Sequence, residues 1–140
     1  MQELFSLGKM YVSDFLRPGE EPRHEPVELK LMMDEYGRVR LEKSAPRETM
    51  WGAYWYRSGI NSSMRQHLYD GYCSITGVFK TNPGAVWCDI ACNDGTLLSF
   101  VPERIYTIGI DPADDSYKEE AIKYSDIHIQ DYFSVQQTLV

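Results

Sequence analysis

The sequence lacks the features that mark several protein classes. Its three cysteines, Cys73, Cys88 and Cys92, are odd in number and spaced 15 and 4 residues apart. That fits neither a disulfide framework nor a zinc pattern, and reduced thiols in the cytoplasm are the expectation. No apolar stretch approaches the roughly 20 residues that span a bilayer, so no membrane partner is expected. The opening Met1–Met10 has neither a basic start nor an apolar run, so no signal peptide is expected. Basic residues are scattered, with no run of four, and the formal net charge is -7. Such a field repels a nucleic-acid backbone, so no nucleic acid is expected as a partner. There is no internal repeat and no low-complexity tract.

Hydrophobic residues make up 43% of the 140, charged residues 25% and aromatics 13%, with ten tyrosines. That is a globular balance with aromatics to spare for a core or pocket. Local patterning divides the chain into a small β-rich lobe over 1–50, a connecting helical segment over 51–80, and an α/β region over 81–140. In the lobe, Pro18-Gly19, Pro22 and Pro26 punctuate a loop. Val27, Leu29 and Leu31 alternate with Glu28 and Lys30, and Val39 and Leu41 alternate again after Glu35-Tyr36-Gly37. A β-hairpin over Val27 to Leu41 follows. Asn61, Ser62 and Ser63 are helix-capping residues, and Met64 and Leu68 share a helical face. A helix from Ser62 to about Tyr72 is predicted.

The α/β region carries the chemistry. Ala85–Ala91 reads as a short buried strand and Asn93-Asp94-Gly95 as a turn. Thr96–Val101 reads as a short helix closed by Pro102. Arg104–Ile110 is a second strand, Ser116–Tyr124 a helix, and Asp126–Gln130 a third strand. Strand, turn, helix, strand, helix, strand is the opening half of a Rossmann-like doubly wound parallel sheet. Ligands of such sheets bind beyond the carboxyl ends of the strands. Asp89, Ala91, Asn93, Gly95, Asp111, Asp131 and Tyr132 all fall at those ends. Asp111 lies 22 residues after Asp89. That is close to the roughly 20 at which an acidic residue accepts hydrogen bonds from ribose hydroxyls. Ala91 and Asn93 stand where nucleotide-binding turns carry glycine, which disfavours a pyrophosphate ligand and with it an NAD-binding oxidoreductase.

The run Asp89-Ile90-Ala91-Cys92-Asn93-Asp94-Gly95-Thr96-Leu97-Leu98 resembles the first motif of sugar C-methyltransferases of the deoxysugar type. Those enzymes belong to the class I S-adenosylmethionine-dependent methyltransferases. Gly109-Ile110-Asp111-Pro112-Ala113 resembles their second motif. Tyr54-Trp55-Tyr56-Arg57-Ser58-Gly59-Ile60-Asn61, followed by Met64-Arg65, resembles the segment before the first. Leu7-Gly8-Lys9-Met10 to Asp14-Phe15-Leu16 resembles their N-terminal lobe. The resemblance covers nearly the whole chain in family order.

It implies S-adenosylmethionine as cofactor and a sugar-nucleotide as small-molecule substrate. Ala91, Asn93 and Gly95 would pass the methionine part, Asp111 would bind the ribose, and Asp131 or Tyr132 would lie by the adenine. Tyr54 and Tyr56 would line the pocket, where aromatic faces attract a cationic methyl donor. The chemistry implied is proton abstraction from a ketosugar carbon followed by in-line methyl transfer; no catalytic base is identifiable. Two departures stand out. The family's lobe holds zinc through two Cys-x-x-Cys pairs. The first would precede Gln2, and the second falls at Met33 and Tyr36, which cannot supply thiolates. Zinc is therefore not expected, and these replacements are expected to fill the site. Family members are also longer, so the chain is expected to be the N-terminal part, incomplete for catalysis.

Plainer readings stand beside these. Asp89 could cap the following turn, Asp111 could be a turn former before Pro112, and Tyr54, Trp55 and Tyr56 could be packing. His24, His67 and His128 read as structural or solvated, and Cys92 as a small packing residue. The chain as a whole could be a non-catalytic nucleotide-binding or interaction module. The sequence leaves the oligomeric state open.

Overall fold

The structure, a computed structural model, describes residues 1–12, 16–51 and 56–134. It is an α/β protein with two compact units, Met1–Tyr54 and Trp55–Val140.

The first unit is a three-stranded antiparallel sheet in the order β1-β2-β3, with β1 Gln2–Met10, β2 Val27–Met33 and β3 Val39–Leu41. A short helix α1, Arg47–Trp51, follows. The expected hairpin forms, with Leu31 opposite Leu41 and Met33 opposite Val39. Asp34 makes its turn: one carboxylate oxygen accepts from the Tyr36 and Arg38 N–H groups, and the other from Arg38 Nε at 2.7 Å. The alternation of β2 sorts the sheet's faces. Phe5, Leu31, Leu41, Met33 and Val39 share the apolar one, while Lys30 on the other lies within 3.6 Å of Glu3, Glu28 and Glu42. Tyr36 sits at the hairpin tip, 74% exposed, with the Arg38 guanidinium over its ring. The expectation that Met33 and Tyr36 together fill a vacated metal site is corrected for Tyr36: its turn position turns the ring to solvent.

The second unit holds a parallel sheet in the order β4-β5-β6, with β4 Val86–Ile90, β5 Tyr106–Ile110 and β6 Ile127–Ile129. Helix α2, Ser62–Val78, precedes it, with Asn61 as N-cap accepting from the Ser63 N–H. It runs past the predicted end at Tyr72. Helix α3, Asp115–Ala121, links β5 to β6 and continues as a 3-10 turn, Ile122–Tyr124. The predicted helix over Thr96–Val101 is shorter, a single 3-10 turn at Leu98–Phe100. Pro102 stops it, since proline brings no N–H to a further turn. The second strand likewise begins at Tyr106 rather than Arg104, because Ile105 is still tied into a turn by its N–H to the Pro102 carbonyl.

Register places Asp89, Gly109 and His128 side by side on one face, and Cys88, Ile108 and Ile127 on the other. The first face is covered. Trp87 packs against Tyr72 of α2 with ring centroids 5.7 Å apart, and Cys92, Leu98 and Ala121 form the core over it. The second face is apolar and, among the described residues, largely open, although Ile110 on it is buried. Val86, Cys88, Ile90, Tyr106 and Ile127 are all exposed on it. Parallel sheets are ordinarily covered on both faces.

The thiols report this arrangement. Cys73 and Cys88 are exposed, while Cys92 is buried with its thiol pushed up by that burial. Thiolate is the reactive form. Titration with an aromatic disulfide is therefore expected to give two prompt thiols in the native protein and the third only on unfolding. Three prompt thiols would contradict the placement of Cys92, and one would show that the open face is occupied in solution.

Candidate functional site

The carboxyl ends of β4, β5 and β6 form one rim. Asp89 is the fourth residue of β4, Asp111 follows the last residue of β5, and Asp131 and Tyr132 follow β6. The two expected carboxylates thus lie on adjacent parallel strands. Asp131 Oδ1 accepts from the Tyr132 N–H at 2.7 Å.

The turn after β4 has a backbone its composition conceals. Ala91, Asn93 and Gly95 all have positive φ, at 66°, 53° and 76°. These are the positions where glycine would be unstrained, and two are occupied by residues with a Cβ. A left-handed conformation costs a non-glycine residue about 1–2 kcal/mol and persists only where its surroundings over-determine it. Here they do. The Ala91 and Cys92 N–H groups both donate to the Ile110 carbonyl, and the Asn93 N–H donates to Asp111 Oδ2 at 2.8 Å. The Asn93 side chain then grips an upstream segment: its Oδ1 accepts from the Ser58 N–H at 3.0 Å, and its Nδ2 donates to the Tyr56 carbonyl at 2.9 Å.

Asp94 completes the grip. It is 2% exposed. One of its oxygens accepts from the N–H and hydroxyl of Thr96, and the other from the Gly59 N–H at 2.7 Å. A Cβ on Gly59 would lie 2.8 Å from Thr96 Oγ1, so only glycine lets the strap approach this closely. Residues 56–60 therefore lie as a strap across the turn. The Tyr-Arg-Ser-Gly-Ile and Asn-Asp-Gly-Thr runs thus meet in one hydrogen-bonded unit. Asp94, Thr96, Gly59 and Arg57 were not singled out by sequence reasoning. Their signal was the pairing of these two distant polar runs.

The expected site residues are brought together unevenly. Asp89, Ala91, Asn93, Gly95 and Asp111 form one cluster, with Tyr56 joined to it through its backbone. Asp131 and Tyr132 sit at the far strand of the same rim. Tyr54 lies outside the described residues. Asp111, 8% exposed, already receives the Asn93 N–H on Oδ2 and the Ala113 N–H on Oδ1. Each oxygen keeps a second acceptor site, so a ligand hydroxyl would share the carboxylate with the chain's own amides.

Asp89 does not cap the turn. Among the described residues its carboxylate accepts no hydrogen bond. Burial, and then the nearby Asp111 charge, raise its pKa from 3.8 to about 6. His128, two strands away on the same face, has both ring nitrogens buried without a hydrogen-bond partner, and burial holds its imidazole below the ordinary histidine range. Cys92 is a packing residue, its thiol far from the thiolate range.

Two of the clefts among the described residues lie off this rim. One of about 390 Å³ is lined by Arg57, Gly59, Arg65, Asp94, Thr96 and Glu120. Another of about 400 Å³ lies at the amino ends of β5 and β6, with Ile105, Thr107 and Asp126 in its wall. Neither opens onto Asp111, Asp131 or Tyr132. The second is at the sheet end opposite to where such folds bind ligands. Among the described residues, no three or more His, Cys, Asp or Glu side chains converge as metal ligands. No helix among them is long and apolar enough to cross a membrane. No family model matches the sequence, and no curated protein matches it.

Proposed function

We propose that Trp55–Val140 is the opening half of a Rossmann-like domain that binds S-adenosylmethionine, in a methyltransferase acting on a carbon of a nucleotide-linked ketosugar. The observation that carries this reading is the turn after β4. Three left-handed residues pass beside Asp111 at the end of the adjacent parallel strand. The turn's own amides are spent inside the fold, those of Ala91 and Cys92 on the Ile110 carbonyl, of Asn93 on Asp111, of Gly95 on the Cys92 carbonyl and of Thr96 on Asp94. What the turn offers a ligand is therefore a backbone path held close beside Asp111. Asp111 then stands where an adenosine ribose would lie. Asp89 adds negative charge beneath the turn, which favours a cationic donor over a pyrophosphate. The motif resemblance supplies the sugar acceptor, and the base that removes its proton is not among the residues assigned.

Calorimetry on wild type and Asp111→Ala tests this. S-adenosylmethionine is expected to bind wild type and to weaken at least tenfold, about 1.4 kcal/mol, in the variant. Binding of NAD in its place would move the chain to the nicotinamide oxidoreductases. One observation favours a second reading. The open apolar face of the parallel sheet suits an interaction module that has no catalytic role of its own. Binding of neither cofactor would favour that reading.

A further inference from the structure

The strap is fastened at two places, and Arg57 is the residue between them. The Asn93 side-chain amide holds the peptide groups on either side of it, the Tyr56 carbonyl and the Ser58 N–H. The Arg57 side chain runs to α3 instead. Its Nη1 meets Glu120 Oε1, its Nη2 donates to Ser116 Oγ at 2.8 Å, and its guanidinium lies 4.5 Å from the centre of the Tyr117 ring. Helix α3 begins two residues after Ala113, whose N–H is held by Asp111 Oδ1, and Asp111 Oδ2 holds the Asn93 N–H. The contacts close on themselves, from Arg57 through Asn93, Asp111, Ala113 and α3 back to Arg57.

The ring bears on Asn93, whereas Ala91 is held outside it by the Ile110 carbonyl. Asn93 would relax toward right-handed backbone if its surroundings loosened. Asn93 is held by its own N–H and by both ends of its amide. Freeing the strap removes two of those three bonds. The turn then spends part of its time in a shape drawn away from Asp111, and apparent affinity falls by the fraction of time lost.

We propose that Arg57 is the positioning residue of the rim: fixed to α3, it holds the strap, and through Asn93 it keeps the turn in its ligand-binding shape. This rests on the cofactor reading above for the identity of the ligand, but not for the ring itself. Lysine cannot replace Arg57. The planar fork reaches Glu120 and Ser116 together while stacking on Tyr117, and an ammonium offers a single point charge.

The test uses the full chain and S-adenosylhomocysteine as probe, at a temperature where every variant is fully folded. Arg57→Lys and Asn93→Ala are each expected to weaken binding roughly tenfold. Asn93→Ala removes the grip and keeps a Cβ, so the cost of the positive φ remains. The double variant is expected to be no weaker than either single one, because the ring is broken once in all three. Effects that multiply in the double variant, or an Arg57→Lys affinity within twofold of wild type, would overturn the proposal. Amide exchange without ligand is the independent arm. Arg57→Lys is expected to lower protection at Ser58, Gly59 and Asn93 together. Loss confined to Ser58 and Gly59 would overturn the link to the turn. If wild type does not bind the probe, the cofactor reading fails on its own, and exchange still decides the role of Arg57.

Discussion

Asp89→Asn is expected to make the protein more stable at pH 8 and no more stable at pH 4. In the folded chain Asp89 ionises near 6 rather than 3.8, because burial and the Asp111 charge disfavour its carboxylate. Below 3.8 the group is protonated in both folded and unfolded chains and contributes nothing. Between 3.8 and 6 the folded chain holds a proton the unfolded chain has released, so stability falls as pH rises through that window. Above 6 the full cost is present, about 3 kcal/mol at roughly 1.4 kcal/mol per pH unit. Asparagine keeps the shape and removes the charge. Urea unfolding is expected to show the variant gaining about 2–3 kcal/mol at pH 8, with the two curves converging by pH 4. A pH-independent difference between them would rule out the raised ionisation.

A carboxylate that lowers stability and makes no hydrogen bond among the described residues calls for a reason outside the fold. A cation at the rim supplies one, since an opposite charge nearby restores the ionised form. The stabilised Asp89→Asn chain is then expected to bind S-adenosylmethionine more weakly than wild type, a trade of activity against stability. It would also lose the proton release that accompanies binding near pH 6, which calorimetry in buffers of different ionisation enthalpy measures.

Much of this arrangement was legible in the sequence because its signals are local. Apolar runs of strand length ending in Asp89 and Asp111 located β4 and β5. Alternation located the hairpin of β2 and β3, and the Asn61 cap located the start of α2. What escaped depends on contacts between distant positions or on conformation. Strand β1 pairs with β2, but register shifts between Glu3 and Phe5 and between Ser6 and Lys9 break its alternation. The strap bonds join residues 35 to 37 apart, and no periodicity reports them. In composition the glycine-poor turn predicts a shape unlike that of a nucleotide-binding turn. Its residue types do differ, but its backbone is glycine-like, because Ile110, Asp111 and the strap force Ala91 and Asn93 into a shape that composition alone disfavours.

That conformation gives two substitutions of opposite sign four residues apart. Gly95→Ala is expected to lower the stability of the second unit by about 4 kcal/mol. The residue has φ 76°, strained for any side chain, and the added Cβ would sit 2.8 Å from Ala121 Cα. Ala121 is fully buried in α3, and the clash is with its backbone, so no rotamer change relieves it. Relief would require α3 to move away from the turn, taking the Arg57 anchor with it. Ala91→Gly should act the other way. Glycine relaxes the left-handed strain at φ 66° and gives back part of that gain as unfolded-chain entropy, for a net stabilisation of about 0.5–1 kcal/mol. Both can be followed in urea through exposure of the Cys92 thiol, which is buried beside the turn and reports opening of this unit. Equal and small effects of the two would mean that the turn does not hold three left-handed residues. The binding surface assigned to it would then be lost as well.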